Sequence, residues 1–194
     1  MNPEAIDDFL ISVEKRRAEL LKSQQKYPHS KIKVGAVLYK IDAYSYDDGS
    51  STVEVQEWVV RSIGFRRGTQ TRFGRKLYTA KYHQTKVVYL TQKVKGVTWG
   101  KLSKKHGDFG FYKSISKRFK EDFNVGSHLP RGMFTTVVAA LKFAIKEHES
   151  SIKWCQEELQ VEDVSDKEEW EQSIREYEKE LRLLKARLTK LKKK

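Results

Sequence analysis

The sequence predicts an α+β protein: a small antiparallel β-barrel or curved sheet over about residues 31–123, preceded by a helix and followed by an antiparallel helical hairpin. Three observations predict it. Between Lys31 and Phe123, β-forming residues alternate with polar ones in runs separated by turn signals. Before Pro28, Ile6, Phe9, Leu10, Val13, Leu20 and Leu21 form an apolar stripe at helical spacing. After residue 137, two apolar seams mirror each other about a polar turn. The chain divides accordingly into an N-terminal amphipathic helix (1–28), a basic β-rich domain (29–130) and a coiled-coil-type helical hairpin (131–194).

The first helix starts with Pro3 in its first turn, and Glu4, Asp7 and Asp8 suit the positive end of the helix dipole. Pro28 ends it. In the β-rich domain, KIKVGAVLYKIDAYSY reads as a strand, DDGSS as a turn and TVEVQEWVVRSIGF as a strand placing Val53, Val55, Val59, Ile63 and Phe65 on one face. KLYTAKYHQTKVVYLTQKV reads as two strands meeting near His83, and SISKRFKEDF as a short closing helix. Four or five antiparallel strands with turns between them make a small barrel or a curved sheet.

In the hairpin, Val138, Leu141, Ile145, His148, Ile152, Cys155 and Leu159 form one seam, and Trp170, Ile174, Tyr177, Leu181, Leu184, Leu188 and Leu191 the other. Folded about QVEDVSDKEE, the seams pair Cys155 with Trp170, Ile152 with Ile174, His148 with Tyr177, Ile145 with Leu181, Leu141 with Leu184 and Val138 with Leu188. Ser165 and Glu168 form a capping box for the second arm. The apolar edges left over are expected to pack on the N-terminal helix or to meet a partner, including a second copy of the chain.

The chain's 194 residues suit one domain, or a domain with an appendage, and a hydrophobic content of 38% suffices for a core. No run of eighteen apolar residues occurs, which argues against a membrane-spanning helix. The first ten residues carry acids where a secretory signal needs bases, and Cys155 is the only cysteine, so a cytoplasmic location is expected. The formal net charge is +13, and its distribution is uneven. Residues 61–120 hold 17 Lys or Arg and a single acid, Asp108, while 1–60 sum to −2 and 121–194 to −1. Charge gathered in one third of the chain is the footprint of a nucleic-acid binder.

The most concentrated stretch is RRGTQTRFGRK, residues 66–76, with five cations, two glycines and no carboxylate. If it joins two strands, Arg66, Arg67, Arg75 and Lys76 gather at its base and Arg72 lies near its tip. Arginine makes bidentate phosphate contacts, and Phe73 and the guanidinium planes stack on unpaired bases. A surface loop that only keeps the chain soluble explains the same composition. The second basic stretch, KLSKKHGDFGFYKSISKRFK, interleaves cations with aromatics and favours the phosphate reading. The candidate nucleic-acid contacts are therefore Arg66, Arg67, Arg72, Phe73, Arg75, Lys76, Lys81, Lys101, Lys104, Lys105, Lys113, Lys117 and Arg118. Tyr78, Tyr82 and Tyr89 would form a stacking row if their faces are open, and core if they are not.

Catalytic patterns are weaker. The five histidines lack metal-ligand spacing, and no cofactor-binding fingerprint is present, so neither metal nor cofactor is expected. His148 and Cys155 lie on the helical seam, where a packed imidazole and a buried thiol are expected. HGD at 106–108 offers an imidazole and a carboxylate, which a tight turn also explains. DDGSSTVEVQ resembles the carboxylate–turn–Glu-x-Gln/Lys arrangement of metal-dependent nucleases through Asp47 or Asp48, Glu54 and Gln56, but no lysine follows in register and an ordinary hairpin turn suffices. The expected function is non-enzymatic binding of DNA or RNA through phosphates, the helical hairpin supplying rigidity or a protein-binding surface. The alternatives are an inhibitor or adaptor whose basic face meets an acidic protein, and a small nuclease.

Overall fold

The computed structural model describes residues 18, 22, 24–65, 69–72, 75–78, 86–94, 102–103, 108–109, 116–160 and 167–193, with 69–72, 75–78, 102–103 and 108–109 described by their backbone. The elements in chain order are β1 (Val37–Ser45), β2 (Ser51–Phe65), β3 (Thr69–Arg72), β4 (Arg75–Tyr78), β5 (Lys86–Gln92), β6 (Leu102–Ser103), β7 (Asp108–Phe109), β8 (Lys120–Asn124), α1 (Val137–Glu158) and α2 (Lys167–Lys192). A curled antiparallel sheet has the order β1-β2-β5-β8, and β3-β4 and β6-β7 form two-stranded ribbons. This is the α+β class, with a curved sheet and a C-terminal pair of packed helices. The expected N-terminal helix falls outside the described residues except Ala18 and Lys22, which are helical.

The β1–β2 turn follows from its sequence. Gly49 takes φ +78°, a left-handed conformation that costs glycine little. The Asp48 side chain accepts from the Ser50 N–H at 2.8 Å, and the Tyr46 N–H donates to the Ser50 carbonyl at 2.8 Å. The bonds from Ser50 to Asp48 hold that carboxyl below its ordinary range. The turn sets the register in which Ala43 faces Val53, Ile41 faces Val55 and Leu38 faces Trp58.

β2 serves two neighbours. Its first part pairs with β1, and from Trp58 onward it pairs with β5. The register shifts between Val60 and Ser62, so Arg61 is an extra residue in the ladder. This corrects the expected single apolar face. Val53 and Val55 lie under the helices, whereas Ile63, beyond the bulge, packs with Trp58 and Val60 on the opposite side.

Each face of the sheet has its own core. One joins Leu38, Trp58, Val60, Val88, Leu90 and Phe123 to Ile32, Leu129 and Met133 from the segments before β1 and after β8. Those two segments are also tied together: Gln25 Oε1 accepts from the Thr135 N–H at 3.0 Å, and the Leu129 N–H donates to the Gln25 carbonyl at 3.0 Å. The other core joins Ile41 of β1 to Phe134, Ala140, Leu141, Phe143 and Ala144 around α1 and Leu184 of α2, with Val53, Val55 and Leu188 packed against it. The apolar edges of the hairpin thus meet the β1–β2 sheet.

α1 begins at Thr136, whose hydroxyl accepts from the Ala139 N–H at 3.3 Å. Glu168 and Glu169 occupy the first turn of α2, while Ser165 of the expected capping box lies outside the described residues. Leu141 and Leu184 are fully buried in one cluster, as the mirror pairing requires. His148 and Tyr177 meet edge to face at 5.8 Å between ring centroids. At the open end Trp170 packs on Trp154 at 4.9 Å. At the sheet end Val138 is 37% exposed, and Val137 and Ala140 take the inward positions. The stretch expected to close the sheet as a helix forms a single 3-10 turn, Lys117–Phe119, before β8.

Leu184 is enclosed by α1 and the sheet, so Leu184→Asp buries a charge without a partner. Thermal or urea unfolding of this variant should show a loss of about 3 kcal/mol or more relative to the parent. An unchanged midpoint would show that the seam does not carry the fold.

Candidate nucleic-acid interface

The basic stretches are insertions into the sheet. Residues 66–85 connect β2 to β5 and hold six Lys or Arg and no acid. Residues 93–119 connect β5 to β8 and are also rich in Lys and Arg, with Asp108 as their one acid. The insertions meet β5 at its opposite ends, because the first enters at Lys86 and the second leaves after Gln92. Strand β5 itself is apolar at its centre, where Val87, Val88, Leu90 and Thr91 are buried. The cations therefore sit on the connections, and the strand that joins those connections belongs to the core.

The stretch expected as an open loop contains a β-hairpin. β3 and β4 pair antiparallel, with Thr69 opposite Tyr78, Gln70 opposite Leu77, Thr71 opposite Lys76 and Arg72 opposite Arg75. Only two positions, Phe73 and Gly74, separate the strands, and both lie outside the described residues. Arg75 and Lys76 therefore stand beside Arg72 at the closed end, which corrects their expected place at the base. Arg66, Arg67, Lys81, Lys101, Lys104, Lys105 and Lys113 lie outside the described residues.

Lys117 and Arg118 are exposed on the 3-10 turn that leads into β8. The Arg118 guanidinium lies 4.5 Å from the centroid of the Phe119 ring, a cation–π arrangement that orders the side chain at the surface. Lys120 continues this exposed group. Lys93 is engaged, 2.9 Å from Glu57. At the other end of β5, the Lys86 ammonium lies 5.8 Å from the Phe65 ring centroid.

Of the expected tyrosine row, only Tyr89 has a described side chain. Tyr78 belongs to the β3–β4 ribbon and Tyr89 to the main sheet. Tyr89 is half-buried, and its same-face neighbours Val87 and Thr91 are 2% and 1% exposed. Tyr82 lies outside the described residues.

The carboxylate pattern resolves differently from the nuclease outline. Asp48 is occupied in the turn, and the residue facing Glu54 across the strands is Asp42, not Asp47 or Asp48. Gln56 donates to Asp42 and accepts from Trp58 Nε1, and Lys40 lies 3.5 Å from Asp42. Among the described residues no three His, Cys, Asp or Glu side chains gather as a metal site. His106 lies outside the described residues, and Asp108 is in β7. Cys155 is buried, and burial pushes its thiol above the ordinary range, so it is unreactive in the fold.

One polar group has no counterpart among the sequence expectations. Glu180 of α2 is 5% exposed. Its Oε1 accepts from the Ser45 hydroxyl at 3.0 Å, and its Oε2 lies 2.9 Å from His148 Nε2. Ser45 in turn bonds Ser51 across the turn at 2.8 Å. The other ring nitrogen of His148 faces the Ala144 carbonyl at 2.8 Å. A carbonyl only accepts, so Nδ1 donates; the second contact then closes with a proton on Nε2 or on the carboxyl. Either arrangement buries a pair with no net charge. Tyr177 flanks it, and burial raises that phenol above its ordinary range. The network ties β1, β2, α1 and α2 together.

No protein-family model matches the chain, and neither a curated protein nor a solved structure matches it.

Removing one partner of the buried pair strands the other. His148→Leu should cost about 3–5 kcal/mol in urea unfolding, and His148→Leu combined with Glu180→Leu should cost less than either single replacement. Additive losses in that double-mutant cycle would show that the two side chains do not interact.

Proposed function

We propose that this protein is a non-enzymatic nucleic-acid-binding protein that contacts phosphates through cations on the two insertions around β5. The observation that carries the proposal is the segregation of charge: 17 Lys or Arg against one acid over residues 61–120, concentrated in the connections of an otherwise mixed-charge chain. Phosphate contacts of this kind supply affinity with little base readout. The helical hairpin stiffens the sheet from which the insertions emerge, and its acid-rich end repels the polyanion and so orients the basic side. A cytoplasmic location suits the lone, buried Cys155. No helix among the described residues is long and apolar enough to cross a membrane.

A salt titration tests the proposal. The full chain should bind random-sequence oligonucleotides with an affinity that falls steeply as salt rises. Replacing Arg67, Arg72 and Arg75 together by Ala should weaken binding to all sequences alike and reduce the log–log salt slope by roughly 2 to 3, because each phosphate contact contributes about −0.9 on duplex and −0.7 on single strands. The melting temperature should be unchanged. Identical slopes would remove this stretch from the interface. Capture of an acidic protein without oligonucleotide binding would favour the adaptor function, and divalent-dependent degradation of the oligonucleotide would favour a nuclease.

A further inference from the structure

We infer that the C-terminal half of α2 is a second phosphate-binding surface, centred on Arg187, Lys190 and Lys193; this rests on the nucleic-acid function proposed above. The near-neutral C-terminal part of the chain is divided in charge: residues 121–180 sum to −8, and 181–194 hold seven Lys or Arg and no acid. Before Glu180, α2 pairs charges along its own surface, as Arg175 does with Glu171 at 3.8 Å. Beyond it, Arg182, Lys185, Arg187, Lys190, Lys192 and Lys193 are all exposed. Glu149 of α1 answers Lys185 at 2.8 Å, whereas Lys190, Lys192 and Lys193 form no ion pair among the described residues. Arg187 and Lys190 are neighbours on one face of the helix and repel each other, and Lys193 follows at the same spacing just past the helix end. The helix dipole favours cations only in the last turn, and Arg187 precedes that turn.

The packing of α2 gives these cations a fixed geometry. Arg187 Nη1 donates to the Val53 carbonyl at 2.7 Å. A carbonyl holds the guanidinium without neutralising it and leaves the remaining N–H groups of the fork to other acceptors. An arginine held in place beforehand loses less freedom when it takes a phosphate. Beside it a groove of about 390 Å³ opens between α2 and the start of β2; its lining includes Val53, Leu183, Ala186, Arg187 and Lys190, and no acid. The groove stands apart from the strand ends where the basic insertions start, because Val53 precedes the part of β2 that pairs with β5, from Trp58 onward. A phosphodiester chain fits this surface better than a bilayer does. The apolar stripe of α2 is turned inward, with Leu184 fully buried and Leu188 packed on the same core. Outward, Leu183 and Leu191 are 40% and 38% exposed among cations, whereas a helix lying in a membrane surface needs a broad apolar face.

The test uses the full chain, random-sequence oligonucleotides and vesicles of anionic phospholipid. In Lys190→Gln/Lys193→Gln the log–log salt slope of oligonucleotide binding should fall by about 1 to 2, since each lost phosphate contact contributes about −0.9 on duplex and −0.7 on single strands. Both side chains are exposed, so the melting temperature should be unchanged. Arg187→Lys keeps the charge and loses the fork, so it should weaken binding at an unaltered slope. Chemical acetylation of the unaltered chain gives a second readout: bound oligonucleotide should slow modification of Lys190 and Lys193 and leave Lys153, which pairs with Glu157 on α1, unprotected. An unchanged slope in the double variant, or Lys190 protected no better than Lys153, overturns the α2 surface and leaves nucleic-acid binding standing. Equal affinity of Arg187→Lys and the parent overturns the part given to the guanidinium. Failure to bind any oligonucleotide at about 50 mM salt overturns the proposed function itself, and capture of the vesicles in its place would assign these cations to a lipid surface.

Discussion

The structure depends on one constraint: the fifteen-residue β2 must be covered on one face at Val53 and Val55 and on the other at Trp58, Val60 and Ile63. A strand that long outlasts either neighbour, so it pairs with β1 first and β5 later. On one face the helical hairpin supplies the cover through Leu141 and Leu184 over Val53 and Val55. On the other, the chain segments carrying Ile32, Leu129 and Met133 close over Trp58 and Val60. The bulge at Arg61 makes this division possible. If Arg61 took a regular place in the ladder, Val60 and Ile63 would point to opposite faces, and the far half of β2 would present its apolar residues to the wrong cover.

Packing alone leaves the hairpin free to slide along the sheet, because apolar contacts carry no direction. The Glu180 network fixes the register. A buried carboxylate tolerates little displacement from its donors, since removing one exposes the full cost of desolvation. Ser45 and Ser51 present their hydroxyls where the β1–β2 turn begins and ends, and Glu180 reaches Ser45 from α2 while holding His148 of α1. The turn, held in shape by Asp48 and Gly49, thus sets the position of both helices. Arg187 adds a second polar tie, donating to the Val53 carbonyl at 2.7 Å.

What is legible in the sequence follows the length and regularity of each signal. The hairpin seams run for six pairs, so the contact of His148 with Tyr177 and the burial of Leu141, Leu184 and Cys155 are readable from spacing. Glu180 is not, because it adjoins Leu181 in an acid-rich stretch and reads as one more solvated carboxylate. Its position three residues after Tyr177 and four before Leu184 is the available signal, for that spacing puts it on the buried face. Ile63 falls on the wrong face in a sequence reading because a bulge shifts register without altering the alternating pattern on either side. The ribbon resembles a loop because Gly68 and Gly74 outweigh the β-forming Thr69, Thr71, Leu77 and Tyr78, which pair across a two-residue connection. Of the proposed contacts, Arg72, Arg75 and Lys76 share that ribbon, and Lys117 and Arg118 share the turn before β8. Tyr89 is not readable as open or covered from sequence, because alternation along a strand cannot tell an open face from a covered one when both faces are packed.

The division of labour between strands and connections bears on why so basic a segment is built into a sheet. Sixteen net positive charges in sixty residues, 17 cations less one acid, repel one another, and the repulsion grows as they are brought together. A strand such as β5 tolerates this because its centre is apolar and its interior neighbours on β2 and β8, Val60, Ile63 and Phe123, are apolar too. The charges are pushed to its two ends. Around the sheet, acids are placed to pair with cations of the sheet and its margin, as Glu57 does with Lys93 and Asp42 with Lys40. In the hairpin, Glu149 pairs with Lys185 and Glu157 with Lys153. These acids are thus engaged within their own layers, and the insertion of residues 66–85 has none of its own. A fold arranged in this way keeps a standing electrostatic deficit in the connections around β5. Arg72 opposite Arg75 in the ribbon register adds a like-charge pair to that deficit, because directly opposed like charges disfavour an antiparallel pair.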